Sequence, residues 1–326
     1  MRGVDSAVRA LFIVNPRAGR GAGRKIWERI SRRVGGNRLF DAVIPGSSAE
    51  TRQAAADAVK AGIGRVIVVG GDGTLAAVAG ELAFSATTLG VIPAGTGNDF
   101  CRNTGIPRQP DAALEIAIGS QTQVIDMGQA AGGQYFLNAA GIGFDAEVAA
   151  AASAFPAGLG GTLPYLLGAF ATISRYKPVP VVVTVDDQRY CGPAMLVVAA
   201  NGRCYGGGMQ VAPLADPGDG QLDVCIATDV GRVGLLNLIR QAYAGRHIRH
   251  PRVVMLRGAS VSVAVEGAVR AHLDGEPLPP QSLTFQARRG ALSVATPLQF
   301  RVAVERDWAE LGYGRFGSSA SAFWSE

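Results

Sequence analysis

Three stretches in the first third of the chain combine glycine with polar side chains in a way that suits an anionic ligand. The most compact is Gly70-Gly71-Asp72-Gly73-Thr74, between a β-branched run and a helix-like stretch. Its glycines let backbone approach a ligand closely. The N–H groups that open the following helix make an anion site. Asp72 then has two tasks open to it, hydrogen-bonding a polar ligand group or holding a metal-bound water. Pro93-Ala94-Gly95-Thr96-Gly97-Asn98-Asp99-Phe100 brings a hydroxyl, an amide and a carboxylate within four residues. Asn15-Pro16-Arg17-Ala18-Gly19-Arg20-Gly21 is the third loop. Each alone is a weak signal; together they read as a phosphate site. None fits the G-x-x-x-x-G-K-[ST] loop, nor G-x-G-x-x-G in its proper place, which speaks against a P-loop ATPase and a Rossmann dehydrogenase.

The second half offers acids. Asp274-Gly275-Glu276 reads first as a hairpin turn, since Asp-Gly favours type I′. Its sharper reading is a carboxylate that takes a proton from a substrate hydroxyl. Asp216-Pro217-Gly218-Asp219-Gly220 reads first as a loop; its oxygens also suit Mg²⁺ or Ca²⁺, without EF-hand spacing. The basic segment Arg246-His247-Ile248-Arg249-His250-Pro251-Arg252 reads as a solvated face, and more sharply as a lure for anionic lipid. His272 reads as a strand residue rather than a catalyst.

The elements that must position these groups follow from hydrophobic period. Strand-like runs at 10–14, 39–44, 65–69 and 89–92 alternate with helix-like stretches at 24–34, 49–61 and 74–82. That alternation predicts a parallel sheet flanked by helices, with ligands off the carboxyl ends of the strands. The glycine loops fall at those ends. After about residue 127, strand-like runs succeed one another at 135–139, 179–185, 194–199, 221–227, 253–256, 260–265, 269–273, 282–286 and 291–295. This predicts a mostly antiparallel β domain, interrupted by helical insertions near 163–175 and 230–244. Three parts are expected: 1–127, 128–300, and a tail, 301–326, partly packing back on the N-terminal domain. Phe300, Trp308, Tyr313, Phe316, Phe323 and Trp324 give that end of the chain an aromatic character suited to a membrane interface.

Composition bounds the rest. The 326 residues are 48% hydrophobic, enough for a core and too many for disorder. The densest apolar stretch, near residues 163–173, is shorter than the roughly 20 residues that span a bilayer. The apolar run at 11–14 is too short for a signal-peptide core. Cys101, Cys191, Cys204 and Cys225 form neither a disulfide framework nor a zinc pattern. These point to a cytoplasmic protein. Net charge is +5, which fits an anionic partner such as a nucleotide or an acidic membrane surface.

Asn15-Pro16, Gly70 to Thr74 and Gly95-Thr96-Gly97-Asn98-Asp99-Phe100 resemble the diacylglycerol kinase catalytic-domain family, in particular its soluble bacterial lipid kinases. Asn138-Ala139-Ala140-Gly141-Ile142-Gly143-Phe144-Asp145 is similar to the family's entry into its β domain. Asn201-Gly202, Gly206-Gly207-Gly208, Ala212-Pro213 and Asp219-Gly220-Gln221-Leu222-Asp223 resemble its central stretch, and Leu273-Asp274-Gly275-Glu276 its catalytic turn. The resemblance runs in order from about residue 10 to 300.

It implies an N-terminal α/β domain like that of NAD kinases and phosphofructokinases, a C-terminal β-sandwich, and an active site in the cleft. ATP would contact Asn15, Pro16, Arg17, Ala18, Gly19, Gly71, Asp72, Gly73, Thr74, Leu75, Ala76, Ala77 and Thr96, with Asn98 and Asp99 completing the nucleotide site. Asp72, Asp274 and Glu276 would be catalytic, one of the last two as general base on a lipid hydroxyl. A structural Mg²⁺ would take Asp216, Asp219 and the carbonyl of Gln221, with waters reaching Asp99. Two positions depart from the family. Arg20 stands where members often carry lysine, and Ile44-Pro45 stand about where a nucleotide-contacting threonine is expected.

The resulting expectation is an ATP- and Mg²⁺-dependent lipid kinase, most simply converting diacylglycerol to phosphatidic acid at the inner membrane face. It would bind no nucleic acid; a homodimer is left open. An NAD kinase shares the Gly-Gly-Asp-Gly-Thr turn, but the Gly-Thr-Gly-Asn-Asp-Phe loop argues against it. A non-catalytic lipid-binding protein on this scaffold is opposed by the intact Asp72, Asp99, Asp274 and Glu276.

Overall fold

Uninterrupted apolar runs such as Val66-Ile67-Val68-Val69 suit strands covered on both faces. The structure, a computed structural model, describes residues 8–144, 146–148, 176–267, 269–278 and 282–297. Asp145, the insertion expected at 163–175, and the tail with its aromatics lie outside the described residues. The chain divides into two units, Met1–Asp126 with Arg289–Arg301, and Met127–Arg288 with Val302–Glu326.

In the first unit each strand is followed by a helix. The order is β1 (Ala10–Val14), α1 (Ala18–Val34), β2 (Phe40–Val43), α2 (Ser48–Lys60), β3 (Arg65–Gly70), α3 (Asp72–Leu82), β4 (Thr88–Pro93), α4 (Asp99–Thr104) and α5 (Pro110–Ile118). The strands are parallel in the order β2-β1-β3-β4, and β3 and β4 are buried at every residue. α2 is opened by Ser47, whose hydroxyl accepts the Glu50 N–H, while the Glu50 carboxylate accepts the Gly46 N–H. That reciprocal cap holds the Glu50 carboxyl below the usual range, through the Gly46 N–H first. The helix expected at 24–34 is preceded by a turn with positive φ at Gly19, Arg20 and Gly21. α5, which the pattern reading leaves unassigned, opens on Pro110, a residue suited to a helix's first turn.

The second unit is antiparallel β, as expected. After β5 (Thr122–Ala130), which enters it, come β6 (Tyr135–Phe136), β7 (Ala139–Gly143), β8 (Val179–Val185), β9 (Gln188–Ala200), β10 (Leu222–Thr228), α6 (Gly231–Ala242), a 3₁₀ turn at Arg246–Arg249, β11 (Val253–Gly258), β12 (Ser260–Val265), β13 (Ala271–Leu273), β14 (Glu276–Pro277) and β15 (Leu283–Ala295). β9 pairs with β8 along its first half and with both β7 and β10 along its second. One of its faces joins a core with Val181, Val183, Leu222, Val224, Val261 and Phe285. The other packs with Ala212, Leu214, Leu238, Ile248 and Met255.

The pattern reading gives all of 128–300 to the second domain. The structure instead returns Arg289–Arg301 to the first unit. Val294 of β15 lies beside Leu89 of β4 in parallel register, and the Phe84 N–H bonds the Ala291 carbonyl at 2.7 Å. A 13-residue strand can serve two sets of neighbours, and its alternation does not say which.

Candidate active site

In the first unit the strand order reverses between β1 and β3, since β2 lies on one side of β1 and β3 on the other. Such a switch point is where open parallel sheets bind ligands. Asn15 leaves β1 there and Thr74 lies in the first turn of α3. The Asn15 amide donates to the Thr74 hydroxyl at 2.9 Å, and the Asn15 N–H donates to Val69 O at 2.9 Å. Asn15 Oδ1 accepts the Arg17 N–H at 3.0 Å, which starts the turn toward Gly19.

The loop at 93–100 packs against the Gly70–Thr74 turn at a distance only glycine allows. A Cβ on Gly95 would lie 2.7 Å from the Gly71 Cα. Asn98 closes this loop on itself: its Oδ1 accepts the Gly95 N–H at 3.0 Å and its Nδ2 donates to Gly95 O at 2.8 Å. Asp72 opens α3 and ties the loops together, accepting the Phe100 N–H at 3.2 Å. Asp99 is buried, with Arg102 Nη1 at 3.4 Å. Arg102 also donates to Gly97 O. Arg102 lies three residues beyond Asp99 on α4, a short helix that the sequence presents as part of a loop.

The N–H groups of a helix's first turn have no partner within the helix, so the start of α3 can receive an anion. Arg17, Gly73 and Thr96 are exposed around this edge, and Asn15, Pro16, Ala18, Gly19, Gly71, Asp72, Thr74 and Ala76 are half-buried. Leu75 and Ala77 are buried in the core, and the Leu75 N–H donates to Gly71 O at 3.0 Å.

In the second unit Asp274 and Gly275 have φ of 49° and 88°, a two-residue turn joining β13 to β14. The hairpin reading is therefore right about the backbone, and the carboxylates add to it. Asp274 Oδ2 accepts the Leu137 N–H at 2.6 Å, and Oδ1 accepts those of Asn138 and Ala139 at 2.8 and 3.0 Å. Asn201 completes the surround, donating its Nδ2 to Leu137 O at 2.9 Å and its N–H to Asn138 O at 2.8 Å. So Asn138 and Asn201-Gly202 meet beside the turn. His272, which is buried, accepts the Gly275 N–H on Nδ1 at 3.1 Å, and its ring lies 5.9 Å from that of Tyr205. Glu276 is exposed on β14.

The loop before β10 holds the candidate cation ligands. Asp216 Oδ1 accepts the Gly218 N–H, and Asp219 Oδ1 accepts the Gln221 N–H at 2.8 Å. Arg257 forms an ion pair with Asp219 and lies 3.9 Å from the buried Asp223. Burial pushes the Asp219 carboxyl up; Arg257 opposes this, and Asp216 adds to it. Carboxylates and a carbonyl are the oxygen donors that a hard divalent cation takes, and Arg257 competes for Asp219. Among the described residues no group of three or more His, Cys, Asp or Glu side chains is placed to hold a metal ion. Arg257 was missed because it lies 38 residues from Asp219 and on another strand.

None of the four cysteines forms a disulfide, and burial pushes the Cys101 thiol far up, away from reactivity. No helix among the described residues is long and apolar enough to cross a membrane.

Residues 9–130 match the profile of the diacylglycerol kinase catalytic domain, and residues 138–296 that of the YegS C-terminal NAD kinase beta sandwich-like domain. A diacylglycerol kinase of Mycobacterium tuberculosis is 32% identical over 295 residues, spanning 87% of this chain and 94% of that one. A Pseudomonas aeruginosa protein, named "Probable lipid kinase YegS-like", is 34% identical over 76% of this chain and 82% of its own. A crystal structure of a diacylglycerol kinase from Bacillus anthracis superposes with a TM-score of 0.71 at 22% identity, covering 91% of this chain and all of that one. This last likeness speaks to the fold.

Proposed function

Because the chain belongs to the diacylglycerol kinase catalytic-domain family, a family of lipid kinases, we propose that it transfers the γ-phosphate of ATP to a lipid hydroxyl, most simply making phosphatidic acid from diacylglycerol. The observation that carries this reading is the trio of loops at the switch point, bound together by Asn15, Asp72 and Asn98. They form a backbone-rich anion site suited to a polyphosphate. ATP would be held by residues 15–19, by residues 71–77 and by Thr96, with Asn98 and Asp99 shaping the loop. Arg17 and Arg20, both exposed at that edge, would add positive charge toward the phosphates.

Phosphoryl transfer leaves the protein mainly positioning and charge stabilisation. Glu276 would accept the proton of the attacking hydroxyl. Asp274 has both carboxylate oxygens committed to backbone N–H groups and would fix the turn that carries Glu276. Mg²⁺, when bound, neutralises developing charge on phosphate oxygens. A structural Mg²⁺ would be held by Asp216, Asp219 and the Gln221 carbonyl, with Arg257 sharing Asp219. The lipid acceptor requires contact with a membrane surface, which the net charge of +5 favours at an anionic leaflet.

The test is transfer of labelled γ-phosphate from ATP with Mg²⁺ into a total lipid extract and, separately, into NAD⁺. We expect a labelled lipid. We also expect Glu276→Gln to lower its rate by about 10²–10⁴-fold. Glu276 is exposed, so the variant should keep the wild-type melting temperature. Label in NADP⁺ alone would move the protein to the NAD kinase side, with which it shares Gly70 to Thr74.

A further inference from the structure

α6 has two unlike faces. Leu235, Leu238 and Ala242, at i, i+3 and i+7, are 1%, 5% and 7% exposed. Leu235 packs with Phe144, Val148 and Met195, so the helix is anchored on that side. Its outward face carries Val233, Leu236 and Tyr243, which are 82%, 38% and 40% exposed. Arg240 is exposed on that same face, four residues beyond Leu236 and three before Tyr243. Beyond the helix, Arg246 and Arg249 are exposed on one side of the 3₁₀ turn while His247 and Ile248 are buried. Arg252 is exposed just after.

The charge here is one-sided. Residues 230–252 contain five arginines and no aspartate or glutamate. Among the described residues none of Arg240, Arg246, Arg249 or Arg252 has an acidic side chain within 4.0 Å. A soluble surface commonly intersperses acids among such arginines. It also seldom leaves a valine mostly bare beside a leucine and a tyrosine on one helix.

We infer that the outward face of α6, with the arginines that follow it, is the surface by which the protein docks on an anionic bilayer. The occupant follows from the pattern. Apolar side chains on one helical face, bordered by arginine, suit the boundary between acyl chains and headgroups, and tyrosine is at home at that depth. Arginines without an acidic partner among the described residues supply attraction to anionic headgroups. The choice of a bilayer over a protein partner rests on the lipid-kinase reading; the patch itself does not.

The experiment sediments the full chain with vesicles of phosphatidylcholine, or of phosphatidylcholine mixed with an equal amount of phosphatidylglycerol. Two variants are compared, V233D/L236D and R246E/R249E. All four positions are exposed, so both should fold, which melting temperature checks. Wild type should bind only the anionic vesicles and be released by salt. Each variant should lose at least about tenfold in partition, since each basic residue near such a surface contributes substantially. Both should retain wild-type turnover on a short-chain, water-soluble acceptor. Equal vesicle binding by wild type and both variants overturns the proposal. So does a wild-type dimer in gel filtration that V233D/L236D splits, because the occupant is then a second copy. Binding that behaves as expected in a protein that phosphorylates no lipid keeps the docking face and removes the kinase reading instead.

Discussion

A carboxylate that accepts three backbone N–H bonds has little left to offer a substrate, and this separates Asp274 from Glu276. Asp274 spends its oxygens on Leu137, Asn138 and Ala139; Glu276, two residues on, is exposed. The turn between them is braced by His272, whose Nδ1 accepts the Gly275 N–H. That bond requires Nδ1 without its hydrogen, which leaves the ring proton on Nε2. If Glu276 is the base proposed above, His272 would be a positioning residue for it. His272→Ala should lower kcat by about tenfold, on the scale of losing one partly buried hydrogen bond, while the KM for ATP stays near wild type. His272→Asn, whose side-chain oxygen can accept the same N–H, should recover most of the loss. Equal defects in both variants, or a defect confined to ATP binding, would sink this role. The Asp-Gly-Glu turn is visible in the sequence as a hairpin signal. The division of labour within it is not, because it depends on amides more than 130 residues away.

At the scale of elements, strand-then-helix alternation is readable because parallel strands buried on both faces produce unbroken apolar runs such as β3. The glycine loops are readable for the same reason: each follows such a run. α4 hides better, since Asp99–Thr104 is short and begins inside what reads as a loop. The 3₁₀ turn at Arg246–Arg249 is another partial case. Its composition reads as basic and solvated, and its arginines are exposed. His247, in the middle, is instead buried with Nε2 3.0 Å from Val211 O and, among the described residues, Nδ1 without a partner. Burial pushes its imidazole below the ordinary value, and the Val211 bond offsets only part of that. The folded state therefore binds this proton less readily than the unfolded chain. The associated stability is present above the ordinary imidazole pKa and is lost as pH falls through it toward the lowered folded value. Acidifying from neutral pH should lower the melting temperature of wild type more than that of His247→Gln, which carries no titrating ring. Parallel slopes for the two proteins would mean that His247 does not hold this turn in its neutral form.

For the whole molecule, the change from alternating to consecutive strands near residue 127 marks where the chain leaves the first unit, and nothing comparable marks its return. β15 reads as one more strand of the β domain, and its early residues do pair there, Phe285 with Val261 and Gln286 with Ser260. Its last residues carry no different pattern, yet they belong with β4. Val294 is fully buried opposite Leu89, and the Ser293 hydroxyl lies 3.0 Å from that of Thr88. Pairing partners are a property of the closed fold, and a strand's own residues specify only that it should pair. This topology makes the first unit depend on residues far along the chain. Truncating Val294 to alanine should cost about 2 kcal/mol, in the range for deleting buried methyl groups. Because local opening follows the unit that is weakened, the extra amide hydrogen exchange should appear in β3 and β4. Amides of β8 and β12 should keep their protection. The reverse pattern, with exchange rising in β8 and β12 alone, would return the end of β15 to the second unit and remove Val294 from the core of the first.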